Sequence, residues 1–333
     1  MLQRPLLRVG LVRPLTVGAT RSHVPVTMAT ANQPLPFASS EMDASTLVDN
    51  LIRHTHFLMQ GHDRHLVAFS GGVDSSLVLA LLQRAASSNQ HVQPVLGISS
   101  AVPLEQIQLA RQVSSHLGFE LREVTTAEGS DDMYIANEGQ ACLACKTHLY
   151  TCLKLVLDHT SQQQAQSRSS GALYNGTNAD DTHDPTRVGL IAAANFSVLS
   201  PLEHTSKLNV RLAAKHLGLP NWNYAASPCL RSRLALGVEA TQRHLNMIEE
   251  AERLVKKTLR GYNEMSNLRV RMLSSQRARV EVDEELMEDA IEQVSLWTPS
   301  FRELGFSSVN VMAFRSGSVS IPMKEPRHEI DSQ

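Results

Sequence analysis

A glycine-rich turn between an apolar strand and an apolar helix is the strongest constraint on how this chain folds. Residues Ser70, Gly71, Gly72, Val73, Asp74, Ser75 and Ser76 follow the apolar segment 66–69 and open a leucine-rich helical segment. Glycines let the backbone approach an anion closely, and the free N–H groups and dipole of a helix N-terminus favour negative charge. The run predicts a phosphate-binding turn in which Ser75 and Ser76 donate hydrogen bonds and Asp74 holds the magnesium ion of a nucleotide. An ordinary strand-to-helix turn with capping residues is the alternative.

The segments around this turn alternate between strand and helix, which predicts an α/β fold with a parallel sheet. Strands are expected at 66–69, 95–98, 121–124, 173–174 and 198–199, and helices at 45–59, 105–117 and 206–217, with a surface loop at 161–170. Beyond Gly237, helices at 241–259 and 284–304 and strands at 268–272, 278–282 and 309–314 predict a smaller α+β unit. We therefore expect a nucleotide-binding domain over 45–237, a smaller domain over 238–320 and a tail over 321–333.

The first forty residues differ in composition from the rest of the chain. They contain Arg4, Arg8, Arg13 and Arg21, and the first acidic residue is Glu41. Arginine-rich segments without acidic residues are typical of transit peptides, so we expect a mitochondrial or other organelle address. A disordered tail on a cytoplasmic protein, with an alternative start at residue 28, is the other interpretation.

Charge and hydropathy argue against two classes of partner. The 31 basic residues are balanced by 33 acidic ones, so the chain has no overall positive field to attract a long nucleic acid. The longest apolar run, at 77–82, is far shorter than a membrane span. We therefore expect neither a long nucleic acid nor a membrane as a partner.

The four cysteines are a second candidate centre. Cys142 and Cys145 form a C-x-x-C pair, Cys152 is predicted to lie on the next helix, and Cys229 lies far downstream. A zinc site is disfavoured because no second C-x-x-C and no closely spaced histidine pair completes a zinc signature. Cys152 has apolar neighbours and is interpreted as a buried filler. The other three can hold a 4Fe-4S cluster whose fourth iron binds hydrosulfide, although a redox dithiol, or no function, stays open for the pair.

Two pairs of arginines are candidates for binding a phosphate of the substrate. Arg269 and Arg271 alternate along a predicted strand, so their side chains leave one face about 7 Å apart. Arg231 and Arg233 follow Cys229 and can act in the same way. Solvated surface arginines are the alternative for both pairs.

Two pairs of acidic residues have different expectations. Asp180 and Asp181 follow a predicted strand end, where ligands bind in parallel sheets, so we expect a role in the substrate site. Glu249 and Glu252 lie one helical turn apart and are interpreted as part of a solvated face.

Six segments, taken in order, resemble those of a known enzyme family. They are 70–76, 142–146, 176–181, 200–202, 226–233 and 314–318. The first resembles the PP-loop of the N-type ATP pyrophosphatases, which split ATP between the α- and β-phosphates. The ordered set resembles the LarE-type ATP-dependent sulfur transferase of the nickel-pincer cofactor pathway.

The resemblance implies a PP-loop ATP pyrophosphatase domain that adenylylates a carboxylate of a pyridinium-dicarboxylate mononucleotide and inserts sulfur to form a thiocarboxylate. It implies that Cys229, the family's sulfur site, and Asp74 are catalytic. In one branch this cysteine gives up its own sulfur; in another, three cysteines hold a 4Fe-4S cluster, and Cys142 and Cys145 indicate the second branch. The expected cofactors are ATP, magnesium and this cluster. The expected partners are a small-molecule nucleotide substrate, a sulfur-donor protein and further copies of the chain in a homo-oligomer.

Two positions depart from the family pattern, and three other functions stay open. Asn195 replaces an acidic residue and Arg231 replaces a small one. A cluster-dependent tRNA thiolase shares the loop and the C-x-x-C pair but needs a basic RNA surface. An ammonia-using adenylylating synthetase leaves the cysteines unexplained. A regulatory nucleotide-binding protein would differ from all three enzymes in releasing no pyrophosphate.

Overall fold

A computed structural model of the protein describes residues 43–162, 170–184 and 187–315. The expected transit segment, most of the expected loop at 161–170, the end of the segment at 314–318 and the expected tail lie outside the described residues. None of the helices in the described ranges is long and apolar enough to pass through a bilayer.

Ten α-helices and seven strands make up the described part of the chain. The strands are β1 (Arg64–Ala68), β2 (His91–Ile98), β3 (Arg122–Thr125), β4 (Gly171–Tyr174), β5 (Leu268–Leu273), β6 (Arg277–Val282) and β7 (Ser308–Ala313). The helices are α1 (Ala44–Met59), α2 (Val73–Ala85), α3 (Leu104–His116), α4 (Asp132–Ala136), α5 (Ala141–Gln162), α6 (Ala179–Thr182), α7 (Gly189–Asn195), α8 (Lys207–His216), α9 (Gln242–Thr258) and α10 (Met287–Leu304).

Four parallel strands form the first sheet, in the order β3-β2-β1-β4, which confirms the α/β prediction. The central strand β1 is buried because helices cover both faces of the sheet. Its adjacent residues Leu66 and Val67 accordingly pack into two different apolar clusters. One cluster lies under α1, α2 and α8, and the other lies under α5 and α7.

The prediction of a fifth strand at 198–199 is wrong. Leu199 makes a single parallel bridge with Tyr174 at the edge of β4. Pro201 follows two residues later and has no N–H to donate to a ladder, so pairing ends where the chain turns.

Helix α2 is buried along nearly its whole length. It contacts β1, α1 and α8, which leaves apolar side chains such as Leu77, Leu79 and Leu81 without exposed surface. Burial of this kind stabilises a helix by roughly 1.5–3 kcal/mol per large side chain. The N-terminus of α2, where the glycine-rich turn ends, is therefore held in a fixed position.

The second sheet consists of β5, β6 and β7. β5 and β6 are antiparallel, β6 and β7 are parallel, and α9 and α10 contact the sheet. Trp297 of α10 is fully buried there, and its Nε1 donates a hydrogen bond to Thr258 Oγ1 at 2.8 Å. The described residues of both sheets belong to one compact unit, and the domain boundary at 237/238 stays a prediction.

Candidate active site

The turn after β1, residues 70–76, has the backbone that a phosphate loop requires. Gly71 has φ +73°, and a Cβ there would lie 2.6 Å from Ala110 Cα, so only glycine fits. Gly72 precedes α2 with φ −73°, and a Cβ at this position would meet only Ser70 Oγ, at 3.4 Å. The fold itself therefore requires the first glycine, while the second leaves room for a ligand beside the backbone.

Side chains from two other segments fix this loop. Asn221 Nδ2 donates to Gly71 O at 2.6 Å and to Ser76 Oγ at 3.1 Å, and Gln106 Nε2 donates to Ser70 O. The hydroxyls of Ser75 and Ser76 donate to the carbonyl of Gly72 at 3.0 and 2.9 Å. The loop is thus held in shape from its carbonyl side, while the free N–H groups at the start of a helix suit an anion.

Asp74 lies between the loop and the chain that follows β4. Its Oδ2 accepts from Lys207 Nζ at 2.5 Å and its Oδ1 accepts from Asn178 Nδ2 at 3.1 Å. A Cβ on Gly176 would lie 2.8 Å from Ser75 N, so this second glycine lets the two segments touch. Asp74 is one-quarter exposed and Lys207 about one-third, so the pair is accessible to a ligand.

Asp180 and Asp181 lie on α6, next to this pair. Asn178 caps α6 by accepting from the N–H groups of both residues, and Asp181 Oδ2 accepts from Asn178 N at 3.3 Å, which completes a capping box. Arg187 Nη2 contacts Asp181 Oδ1 at 2.7 Å. The carboxylate of Asp181 therefore stabilises the segment beside Asp74. The carboxylate of Asp180 takes part in none of these contacts.

Three of the four cysteines come together in a second centre. Cys142 and Cys145 lie at the start of α5, and Cys229 immediately precedes a short 3-10 turn, Leu230–Arg233. All three are free and half-buried. Burial is the largest cause that raises the pKa of Cys142 and of Cys145, and the charge of Cys229 raises both pKa values further. Within the described ranges, no three His, Cys, Asp or Glu side chains are placed to share one metal ion.

Cys152 is part of α5 as well, so the prediction of a separate helix for it is wrong. It is half-buried rather than a buried filler, and its Sγ lies 3.8 Å from the carbonyl of Thr125. It interacts with the chain after β3 and takes no part in the group formed by the other three cysteines.

Arg231, one of the two departures from the family pattern, touches this centre directly. Its Nη2 donates to the sulfur of Cys142, and its Nη1 donates to Asn137 Oδ1 at 3.1 Å. Asn137 is buried in the left-handed conformation, and its Nδ2 donates to Ala235 O and Val238 O at 3.0 Å each. The guanidinium is therefore held against the thiol by a rigid partner. Asn195, the other departure, is exposed at the end of α7.

Positive charge and burial act against each other in this centre. Burial raises the pKa of Cys145 to about 12, and Cys229 adds to the effect. Burial also raises the pKa of Cys142, whereas Arg231 opposes the increase. Burial alone would lower the pKa of Lys146, but Tyr150 and the three thiols outweigh it and raise that pKa. Two cations thus act on the thiols, but burial outweighs them at Cys142 and Cys145, so both thiols stay protonated near neutral pH.

Two buried polar groups face the same thiols. Glu128 is 2% exposed, and its Oε1 accepts from Cys145 Sγ at 3.8 Å. Tyr134 is 1% exposed; burial first, and then Cys229 and Cys145, raise the pKa of its hydroxyl, which therefore stays protonated. Neither Glu128 Oε2 nor the Tyr134 hydroxyl has a hydrogen-bond partner among the described residues.

Two of the four arginines expected to bind a substrate phosphate form buried ion pairs instead. Arg233 Nε donates to Glu252 Oε1 at 2.9 Å, with both side chains nearly inaccessible. Arg271 pairs with Glu281 at 2.7 Å in the same way. The prediction that Glu252 is part of a solvated face is therefore wrong, because this carboxylate is the buried partner of an arginine.

These ion pairs hold the loop that carries Cys229. Arg233 Nη1 donates to the carbonyl of Cys229 at 3.0 Å, and Arg271 Nη1 donates to the carbonyl of Ser232 at 3.0 Å. Arg269 lies on the face of Phe314 at 4.5 Å, and burial, followed by Arg233 and Arg271, lowers its pKa to about 10. Arg233 and Arg271 thus position the cysteine. Unlike these two arginines, Arg269 has no buried carboxylate partner of its own among the residues described.

The loop and the thiol centre lie at the same edge of the parallel sheet. The chain after β1 forms the loop, and after β2 the carbonyl of Ala101 accepts from Leu230 N at 2.7 Å, next to Cys229. Glu128 follows β3, and Asn175 follows β4 and donates to Tyr150 of α5 at 3.1 Å. All four carboxyl ends of the strands therefore contribute, as expected for a ligand site in a parallel sheet.

Several residues of this site were not predicted from the sequence. Lys207 and Asn221 contact the loop from far along the chain, and no local pattern marks them. Asn178 had a signal, because asparagine followed three residues later by aspartate is a capping pattern. Glu128 and Tyr134 precede the C-x-x-C pair in a segment without periodicity, and only their burial reveals them.

Comparison with known proteins places this site in a class. The family model described as asparagine synthase matches residues 51–136, which include the whole glycine-rich loop. Together with the sheet and the loop, this match points to a PP-loop domain of the adenine nucleotide alpha hydrolase superfamily and to an ATP-using enzyme of PP-loop type.

Two relatives extend the comparison over most of the chain. The uncharacterized protein slr1717 of Synechocystis is 32% identical over 265 residues, which cover 78% of this chain and 92% of that protein. The chain belongs to the family of this protein. The pyridinium-3,5-bisthiocarboxylic acid mononucleotide synthase of Lactiplantibacillus plantarum is 28% identical over 261 residues, or 77% of this chain and 89% of that protein.

Proposed function

We propose that the protein is an ATP-dependent sulfur transferase. It adenylylates a carboxylate of a small nucleotide of the pyridinium-dicarboxylate type and replaces a carboxylate oxygen with sulfur, as the name of the Lactiplantibacillus relative implies for that enzyme. The observation that carries the proposal is the joining of a PP-loop and a three-cysteine centre at one edge of one sheet. Neither feature alone would select this chemistry among PP-loop enzymes.

The glycine-rich loop would bind the phosphates that leave as pyrophosphate. Room beside Gly72 and the free N–H groups of the first turn of α2 suit the β- and γ-phosphates, whose charge the helix dipole stabilises. Lys207 would exchange its contact with Asp74 for a phosphate oxygen. Magnesium is bound through one or two carboxylates together with substrate phosphates, so Asp74 is a sufficient protein ligand for it.

The thiol centre fits a 4Fe-4S cluster by the chemistry of its donors. Each thiolate in such a cluster binds a different iron, so the sulfurs need not converge on one point, as they would around a single metal ion. Cys142, Cys145 and Cys229 are the residues that would hold it, and Arg231 and Lys146 supply positive charge toward the thiolates. Such a cluster supplies an open iron at which hydrosulfide can bind.

We propose the remaining steps from the chain's own residues. The α-phosphate, held beyond the loop, accepts the substrate carboxylate, and pyrophosphate leaves. A sulfur nucleophile then attacks the activated carbonyl, the C–S bond forms, and AMP departs with the electrons of the broken C–O bond. Water would waste the adenylate, so the site must exclude it. Arg269, Arg231 and Asp180 are the side chains proposed to contact the nucleotide, while Arg233 and Arg271 position Cys229.

The proposal is tested with protein purified without oxygen and supplied with ATP, magnesium, sulfide and a pyridinium-3,5-dicarboxylate mononucleotide. We expect AMP and pyrophosphate as products and a mass gain of about 16 Da in the nucleotide for each oxygen replaced by sulfur. Iron and acid-labile sulfide are measured on the same sample. An untouched nucleotide together with thiolated bases in a tRNA supplied in parallel would instead show a tRNA thiolase.

A further inference from the structure

Two buried groups beside the thiols, Glu128 Oε2 and the Tyr134 hydroxyl, have no hydrogen-bond partner within the described ranges. A buried polar atom left unpaired costs about 1–3 kcal/mol, so such atoms in a folded protein normally face a water or a ligand. The two groups lie six positions apart on consecutive elements and both interact with Cys145, so together they point to a bound small molecule.

The chemistry of the two groups restricts what this molecule is. Tyr134 offers a phenolic O–H that can donate, and Glu128 offers an oxygen that can accept. A molecule between them must therefore accept from the tyrosine and donate to the carboxyl group. It must also be small, since Tyr134 and Glu128 are both almost inaccessible to solvent and the surrounding cluster is apolar.

The surroundings favour sulfur over oxygen. Cys145 and Cys229 pack against the apolar cluster that buries Tyr134, and Cys145 Sγ lies 3.8 Å from Glu128 Oε1. Arg231 contributes a positive charge toward Tyr134 and the thiols. Hydrogen sulfide accepts weakly, donates through S–H and loses less than water does on leaving solvent for an apolar pocket.

We propose that Glu128 and Tyr134 form a binding site for hydrogen sulfide next to the thiols of Cys145 and Cys229, with Tyr134 donating to the sulfur and Glu128 accepting its S–H. The inference rests on the proposed function, since such a site would bind the incoming sulfur before it is transferred. It adds the residues that recognise inorganic sulfide, which the C-x-x-C pattern and the glycine-rich loop do not provide.

Equilibrium dialysis of the oxygen-free protein against sodium sulfide measures the binding directly, without ATP or nucleotide. We expect about one sulfide per chain beyond the sulfide that belongs to a cluster or binds its open iron, and binding weakened about tenfold or more by Tyr134→Phe and by Glu128→Gln. Iron content should be unchanged in both variants. Tyr174→Phe is the matched control: that tyrosine is equally buried, but its hydroxyl is paired with His65 and the carbonyl of Leu58, so sulfide binding should not change.

The thermal stability of the variants separates a ligand site from a structural role. Because the Tyr134 hydroxyl has no partner in the described chain, Tyr134→Phe should be at least as stable as the parent protein, whereas Tyr174→Phe should be less stable. Wild-type protein that retains no excess sulfide, which would mean a bridging water only, or variants that retain as much as the parent, would overturn the inference. Failure of the proposed function gives a different result, namely no pyrophosphate release with the nucleotide, whatever the dialysis shows.

Discussion

Asp74 and Lys207 form an ion pair of 2.5 Å that joins the first turn of α2 to the first residue of α8. The two residues are 133 positions apart in the chain. Both side chains keep partial access to solvent, so the pair is placed to exchange partners when a phosphate binds beyond the loop. The ion pair connects the phosphate side of the site to the segment that follows the last parallel strand.

Removing either member of this pair should impair the use of ATP in a distinct way. Lys207→Ala should raise KM for ATP by about tenfold or more, because a charged contact to phosphate is lost. Asp74→Asn should abolish pyrophosphate release, since electrostatic stabilisation of the transition state is lost at a cost of roughly 3 kcal/mol. Lys215→Ala, in the last turn of the same helix and over the ring of Trp222, should leave both parameters unchanged. Pyrophosphate release at the normal rate in Asp74→Asn would contradict this assignment.

The glycines of the site should respond differently to alanine. A Cβ at Gly71 would meet the Ala110 backbone at 2.6 Å and one at Gly176 would meet Ser75 N at 2.8 Å, so both variants should displace the loop and lose pyrophosphate release. Gly72→Ala has room, with Ser70 Oγ at 3.4 Å, and should melt at the normal temperature. Lost pyrophosphate release in a normally folded Gly72→Ala protein would therefore report a phosphate close to that backbone.

The sequence predicted elements better than contacts, for a physical reason. Periodicity and glycine placement are local, so β1, α2 and the loop between them could be read from a few residues. The partner of Asp74 could not be predicted, because it depends on how α8 packs against α2. The sequence predicts Arg233 and Arg271, in two separate pairs, as binders of a substrate phosphate, yet their burial against Glu252 and Glu281 depends on the second sheet and has no local signature.

The cysteine centre is tested by single serine variants of oxygen-free protein. Cys142→Ser, Cys145→Ser and Cys229→Ser should each lower bound iron and labile sulfide strongly, because each removes one of three thiolate ligands. Cys152→Ser should retain both, since its sulfur lies instead beside the carbonyl of Thr125. Stoichiometric zinc without labile sulfide, or a loss confined to Cys152→Ser, would rule out this ligand set.

The Arg233–Glu252 pair separates stability from positioning. Arg233→Met leaves a buried carboxylate without its cation and should lower the free energy of unfolding by about 3–5 kcal/mol. Replacing both partners, in Arg233→Met with Glu252→Leu, should recover much of that loss in a denaturant titration. Sulfur transfer should stay low in the double variant because the donor to the carbonyl of Cys229 is absent. Full activity in a stable double variant would show that the arginine has no positioning role.

His65 should make the fold sensitive to acid well away from the site. It is fully buried in β1, its Nδ1 lies 3.0 Å from the Tyr174 hydroxyl, and its Nε2 has no partner in the described chain. Burial, with His62 as a second cause, lowers its pKa from 6.5 to about 4.

The direction of the effect follows from where the proton binds. Between pH 6.5 and about 4 the unfolded chain binds a proton at this histidine that the folded chain does not, so its contribution to stability is present above pH 6.5 and is lost as the pH falls through this window. The loss amounts to roughly 3 kcal/mol. Denaturant titrations of His65→Asn and of the parent protein at several pH values should therefore converge toward pH 4. His216→Asn, an exposed control, should follow the parent at every pH. Parallel curves for His65→Asn and the parent would show that this histidine does not control the acid sensitivity.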